Sequence, residues 1–319
     1  MTRRETAGGS VLLLVIVLSA PLVVGYASTP ALALEVPSEP AVLGSGMGPQ
    51  PLSHIGNEWT AMSPAPRPQA RNGPAMAYDG ESDRTVLFGG HLGSMIRSDE
   101  TWVYDLEADN WTEMNPPLAP QPTAFVSMAY DSGSDQTVLF GGYAGVDRSE
   151  TWAYDVEANT WVDRNPATRP SSRDGHGMAY DSESDRIVLF GGWNRAGYAD
   201  SNETWAYDYE TNQWTNMNPP VAPPARHYVG MAYDAGSDLV VLFGGYVGGP
   251  IATRLGDTWT YDLNTNTWAE VTPATSPSPR GEHNMAYDVQ SDLVVLFGVS
   301  AETWIYDTEA NTWQRMTPA

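Results

Sequence analysis

The stretch Gly177-Met178-Ala179-Tyr180-Asp181 is followed by Ile187-Val188-Leu189-Phe190-Gly191-Gly192, then Glu203-Thr204-Trp205-Ala206-Tyr207-Asp208, then Asn212-Gln213-Trp214-Thr215. This succession recurs through the chain. Its first tyrosine returns as Tyr78, Tyr130, Tyr180, Tyr233 and Tyr287, at spacings of 52, 50, 53 and 54 residues. A unit of this size cannot bury its own faces, so it must stack against copies of itself. Each copy reads as four short strands, here a to d. Strand a alternates, with Met178 and Tyr180 on one face and Ala179 and Asp181 on the other. Strand b is a continuous apolar run, the pattern of a strand covered on both faces. Strand c sets Trp205 and Tyr207 on one face, and strand d carries Trp214. The glycine doublet after strand b fits a site of positive φ or close backbone approach. The a–b and c–d connections, such as DSESDR and YETN, are tight and polar, suited to Asx-type turns.

The glycine doublet after an apolar strand, with Tyr and Trp at fixed distances behind it, resembles the kelch family. A P-x-x-R-x-x-H lead-in before MAYD and the period of ~50 residues belong to the same likeness. The resemblance covers residues 57–319. It implies an all-β fold, a β-propeller of five four-stranded antiparallel blades around a central channel. A sixth d-type element, Asn57-Glu58-Trp59-Thr60, precedes the first full copy. The ring is therefore either closed by five blades or an incomplete six-blade one. In the fifth copy Val299 stands where the second glycine is expected. Galactose oxidase is also built on a kelch propeller, but its copper-radical site needs a cysteine cross-linked to tyrosine. This chain has no cysteine, so that chemistry is excluded, as are disulfides and thiolate ligands.

Composition narrows the partners. Thirty-nine acidic residues face 16 basic ones, all of them arginine, for a net charge of −23. Such a surface repels phosphate backbones, so nucleic acid is not an expected partner. Absence of lysine fits either a coding bias or a salt-rich habitat, where an acidic surface keeps a protein soluble. At the N-terminus, Arg3 and Arg4 precede an apolar run from Val11 to Val24, and Ala31-Leu32-Ala33 fits a cleavage site. Residues 1–33 read as a signal peptide, with a retained anchor as the alternative. Residues 34–56, rich in Pro, Gly and Ser, read as a linker. The expected location is extracellular or at the cell surface. Membrane contact is expected only if the N-terminal segment stays uncleaved, and the expected state is a monomer.

With this strand order, the a–b and c–d turns share one rim and the b–c and d–a loops share the other. All the length variation falls on the second rim, which is therefore the candidate binding face. Two residue sets stand out there. Arg71, Arg173, Arg226 and Arg280 each lie five residues before the Met of strand a, with Thr123 in that place in the second copy. They read either as struts bonded to loop carbonyls or as a cationic collar for a carboxylate, uronate or sulfate. His91, Tyr143, Trp193 and Tyr246 follow the glycine doublets and read either as packing residues or as stacking platforms. The histidines do not converge on a metal site, and no cofactor is expected. The best reading is a non-catalytic propeller that binds a protein or a glycan through this rim. The alternative is a carbohydrate-active lyase or isomerase with its site at the channel mouth.

Overall fold

Each copy closes its own turns by the same bond. The strand-a tyrosines Tyr78, Tyr130, Tyr180, Tyr233 and Tyr287 donate to Asp83, Asp135, Asp185, Asp238 and Asp292, five residues on, at 2.7–2.9 Å. The strand-c tyrosines do likewise to Asp109, Asn159, Asn212, Asn266 and Asn311 at 2.8–2.9 Å. All ten acceptors have left-handed backbones, φ 46–58°, where Asn and Asp are the side-chain-bearing residues best tolerated. Their short polar side chains turn the hairpin and anchor the ring behind them. Burial and the adjacent carboxylates push the Tyr78 and Tyr180 hydroxyls up to about 12.

A computed structural model of the chain describes residues 32–33, 60–62, 64–93, 96–248 and 252–317. Leu32–Ala33 pairs antiparallel with Thr60–Ala61. The rest of the expected signal segment, the linker and Asn57-Glu58-Trp59 lie outside the described residues. The five copies form five four-stranded antiparallel sheets in the order a-b-c-d. Strand a is Ala75–Asp79, Ser127–Asp131, Gly177–Asp181, Gly230–Asp234 and Asn284–Asp288 in blades 1 to 5. Consecutive a strands pack on one another and line the centre, giving an all-β propeller.

The seams between blades explain the remaining repeat residues. The strand-d tryptophans Trp161, Trp214, Trp268 and Trp313 each donate an indole N–H to the first Thr of strand c in the preceding blade, at 2.9–3.0 Å. Each also meets that blade's strand-b Phe edge-on, with centroids 5.0–5.2 Å apart. Apolar clusters are shared by blades 1 and 2, 2 and 3, 3 and 4, and 4 and 5. At the channel mouth the d–a loops are stitched by backbone bonds. Phe125 donates to Gly73, Gly175 to Phe125, Tyr228 to Gly175 and Glu282 to Tyr228, all 2.6–3.1 Å, and all five residues have φ of 52–62°.

The seam between blades 5 and 1 is built differently. Among the described residues, the ladder of backbone bonds is not continued from Glu282 to Gly73, and no apolar cluster joins the two blades. A cavity of about 370 Å³ lies there and in the channel, lined by Met76, Tyr78, Met285 and Tyr287 among others. Met62 packs against the blade 1 cluster of Leu87, Trp102, Tyr104 and Trp111, and Met114 packs against the cluster that includes Tyr154 and Trp161 of blade 2. Residues 60–62 thus reach blade 1 where a preceding blade's strand d would run.

Candidate functional site

The four recurring arginines sit inside the loop bases. Their side chains are 0–1% exposed. Each Nε donates to the carbonyl two residues back, of Gln69, Ser171, Pro224 or Ser278, at 2.9 Å. Each Nη1 donates to the first glycine of the doublet, Gly89, Gly191, Gly244 or Gly298, at 2.9–3.4 Å. Nη2 pairs with the acid before strand c: Glu100, Glu203, Asp257 or Glu302. That acid also accepts the indole N–H of Trp102, Trp205, Trp259 or Trp304. The recurring Glu-Thr-Trp is thereby explained: its acid ties strand c to the arginine. Burial pushes Glu203 up, but the hydrogen bond and charge of Arg173 outweigh it, and the carboxyl rests below its ordinary value. With Nε, Nη1 and Nη2 all engaged and the side chain buried, each of these arginines ties its loop base together.

The second set is placed at the surface of the same rim. Tyr143, Trp193 and Tyr246 are half-buried. Tyr143 and Trp193 line a cavity of about 720 Å³ over blades 2 to 4, together with Val146, Asp147, Arg195, Tyr198, His227 and Tyr228. Its volume is that of a small-ligand cleft, for which ~300–1,000 Å³ is usual. Tyr246 stacks on His227 at 5.8 Å, just beyond the cavity wall. His91 lies apart, bridging Asn72 and Arg97 on blade 1. The structure therefore brings together two of the eight nominated residues, sets a third beside them, and leaves His91 and the four arginines elsewhere.

The polar groups of the cavity come from the b–c and d–a loops. Arg195, on the long b–c loop of blade 3, donates from Nε to Asp174 at 2.6 Å and lies 3.5 Å from Asp147. Its backbone N–H also bonds Asp147. The carboxyls of Asp147 and Asp174 are 2% and 0% exposed, and one oxygen of each has no hydrogen-bond partner. Burial pushes Asp174 up to about 6 against the pull of Arg195, and Asp147 adds to the rise. The guanidinium of Arg195 stacks on Tyr143 at 4.3 Å, and that of Arg97 covers the same ring at 4.5 Å. Arg254 reaches Tyr246 at 5.9 Å. His227 Nδ1 is 2.5 Å from Asp200, whose other oxygen accepts from the Gly248 N–H at 2.7 Å. Burial lowers the His227 pKa despite that carboxylate, so the neutral ring donates from Nδ1. Among the described residues no group of three or more His, Asp or Glu is arranged around a metal position.

Sequence reasoning passed over Asp147, Asp174, Arg195, Asp200 and His227. Asp174, Arg195 and His227 break the repeat, each at a loop position where no other copy has the same residue, whereas Asp147 and Asp200 share one position, three residues before Glu150 and Glu203, which Arg97 and Arg254 hold in blades 1 and 4. A family model described as the KLHDC2/KLHL20/DRC7 Kelch-repeats domain matches residues 134–319, from the a–b turn of blade 2 to the end of the chain.

Proposed function

The chain belongs to the kelch-repeat family, and on that premise we propose that it is a non-catalytic binding propeller, exported from the cytoplasm, that engages a protein or glycan through its b–c and d–a loop rim. The carrying observation is the cavity of about 720 Å³ on that rim, walled by Tyr143, Trp193, Tyr198 and Tyr228. Tyr198 is 80% exposed and Val146 63% exposed; aromatic and apolar groups held open on a rigid scaffold are what a partner's rings or side chains pack against. The opposite rim offers only short turns whose Asp and Asn side chains are taken up by the tyrosines. Export rests on the basic-then-apolar start of the chain and its small-residue cleavage pattern. The test runs the wild type beside a Trp193→Ala/Tyr198→Ala variant on a glycan array and against surface proteins captured by cross-linking. Partners retained by the wild type are expected to be lost by the variant; retention by both would remove the rim from the account.

A second reading, a carbohydrate-active enzyme, draws on one observation. Asp147 and Asp174 are buried beside Arg195 in the cavity wall, and burial raises both carboxyls, as in acid–base catalysts. Arg195 gives the same pair a structural role. Mass-spectrometric screening of acidic and neutral glycans for cleavage, with Asp174→Asn as control, separates the two: turnover abolished by that change favours the enzyme.

A further inference from the structure

We infer that the rim cavity takes a uronate-bearing polysaccharide, with a sugar ring against Trp193 and carboxylates at Arg195 and Arg97; the inference rests on the rim being the binding face. The acids of the cavity are turned inward: Asp174 and Asp147 hold Arg195, and Asp200 holds His227 and the Gly248 N–H. What remains to face a ligand is mostly donors. Both ion pairs of Arg195 run through Nε, and the side chain, 39% exposed, also interacts with the Tyr228 hydroxyl. Trp193 has only an indole N–H to offer, and Tyr143, Tyr198 and Tyr228 add hydroxyls. Arg97 forms no ion pair among the described residues; its guanidinium lies over Tyr143. A donor-rich wall selects an acceptor-rich ligand, and two guanidinium groups on one ring favour an anion.

Tyr143 holds two guanidiniums over its ring at 4.3–4.5 Å, and Trp193 lines the same cavity with an aromatic face. A pyranose uronate has the complementary pair, an apolar C–H face and a carboxylate on the same ring. His227 adds the third element. Its Nδ1 is engaged by Asp200, so any contact it makes uses Nε2, which in that tautomer accepts. A sugar hydroxyl supplies the proton; an acidic peptide side chain, ionised, has none to give. Arginines and aromatics continue along the rim, with Arg254 beside Tyr246 on blade 4. That spacing across blades 1 to 4 suits an extended chain carrying several carboxylates. In a protein of net charge −23, a basic–aromatic strip on one rim is also the place where a polyanion meets least repulsion.

The full chain is titrated calorimetrically at low salt with oligogalacturonate and with alginate oligomers, each beside its methyl ester. A hexaglutamate peptide is the third probe. Expected is binding of at least one acidic oligosaccharide, about tenfold or more tighter than its ester, the loss of a charge-assisted hydrogen bond, and weakened by added NaCl. Trp193→Ala and Arg97→Gln should each reduce that affinity while far-UV circular dichroism stays unchanged. Arg97 is the better charge variant, because Arg195→Gln strands Asp147 and Asp174 without a cation. An ester that binds as tightly as the acid overturns the uronate assignment yet leaves the rim reading standing if Trp193→Ala abolishes that binding. Hexaglutamate bound in preference to every sugar, and lost in the same variants, overturns it in favour of an acidic peptide. Failure of every uronate oligomer to bind overturns it outright. Binding indifferent to Trp193→Ala and Arg97→Gln removes the rim reading as well.

Discussion

The two rims of this propeller are made from the same five hairpin sets, yet they spend their polar residues in opposite ways. On the a–b and c–d rim, Asp and Asn recur in every blade, and their oxygens are taken by the tyrosine hydroxyls behind them. On the b–c and d–a rim, the recurring arginines are buried at the loop bases, and among the cavity residues Asp174, Arg195 and His227 have no counterpart in the other blades. Repetition marks residues that build the blade. Departure from repetition marks residues available to a partner, and tryptophan shows both cases. Trp214 is 2% exposed and locked to Thr151 and Phe140, whereas Trp193 lines the rim cavity.

The largest expected effect separates those two tryptophans. Trp214→Ala should cost about 3–5 kcal/mol of stability, the usual range for a buried aromatic, as read from chemical denaturation. Trp193→Ala should leave the midpoint nearly unchanged. Equal losses would erase the distinction between building and binding aromatics.

A pH effect tests the channel side of the variable rim. His176 and His283 are fully enclosed, edge-on to Phe140 and Phe243, and no ring nitrogen of either has a hydrogen-bond partner. Burial first, and then the charge of Arg173 or Arg280, pushes each imidazole down to about 3. Folded histidines gain their protons only near pH 3, but unfolded ones gain them near 6.5. The unfolded state therefore binds more protons between those values, and stability falls as pH drops through that window, by up to about 1.4 kcal/mol per unit for each ring. Blades 2 and 4 carry Val126 and Val229 at the same position. A His176→Val/His283→Val variant should lose most of this acid sensitivity; identical pH profiles would contradict the assignment.

Charge provides the next contrast. Asp83, Asp135, Asp185 and Asp238 can be changed to Asn without loss of their tyrosine bonds, because Asn already fills the equivalent c–d position in four blades. Removing four negative charges from one rim should raise the melting temperature at low salt by about 2–4 °C, roughly 1 kcal/mol in a domain of this size. The gain should fade toward 1 M NaCl, where the Debye length is ~3 Å. A gain independent of salt would mean that the turn acids do not repel one another. The smallest effect falls on the irregular fifth blade. Val299 keeps φ 70° and is 50% exposed. Val299→Gly should stabilise by about 0.5–1 kcal/mol, the relief of a left-handed β-branched residue less the added freedom of the unfolded chain; no gain would show that the loop relaxes around the valine.

The blade was legible because its residues recur at matching places, and recurrence carries information about packing. Strands a to d, the glycine doublets and the inter-blade tryptophans all followed from the 50–54-residue spacing. The same logic misdirects when applied to a site. The four arginines stood out because they repeat, and repetition gave each the same buried partners. Tyr143 and Trp193 were legible since they fall at a fixed place but vary in type. Asp147, Asp174 and His227 were not, because only the fold brings loops from three blades over one cavity.

The most direct test compares two double variants of equal charge change, Arg173→Ala/Arg226→Ala and Arg97→Ala/Arg254→Ala, by thermal unfolding. Removing one partner of a buried ion pair costs about 3–5 kcal/mol, so the first variant should unfold far below the wild type or fail to fold. The second removes cations that form no ion pair among the described residues and should melt within a few degrees of the wild type. A stable first variant, or a second variant as damaged as the first, would contradict the division between arginines that build this propeller and arginines that face its partner.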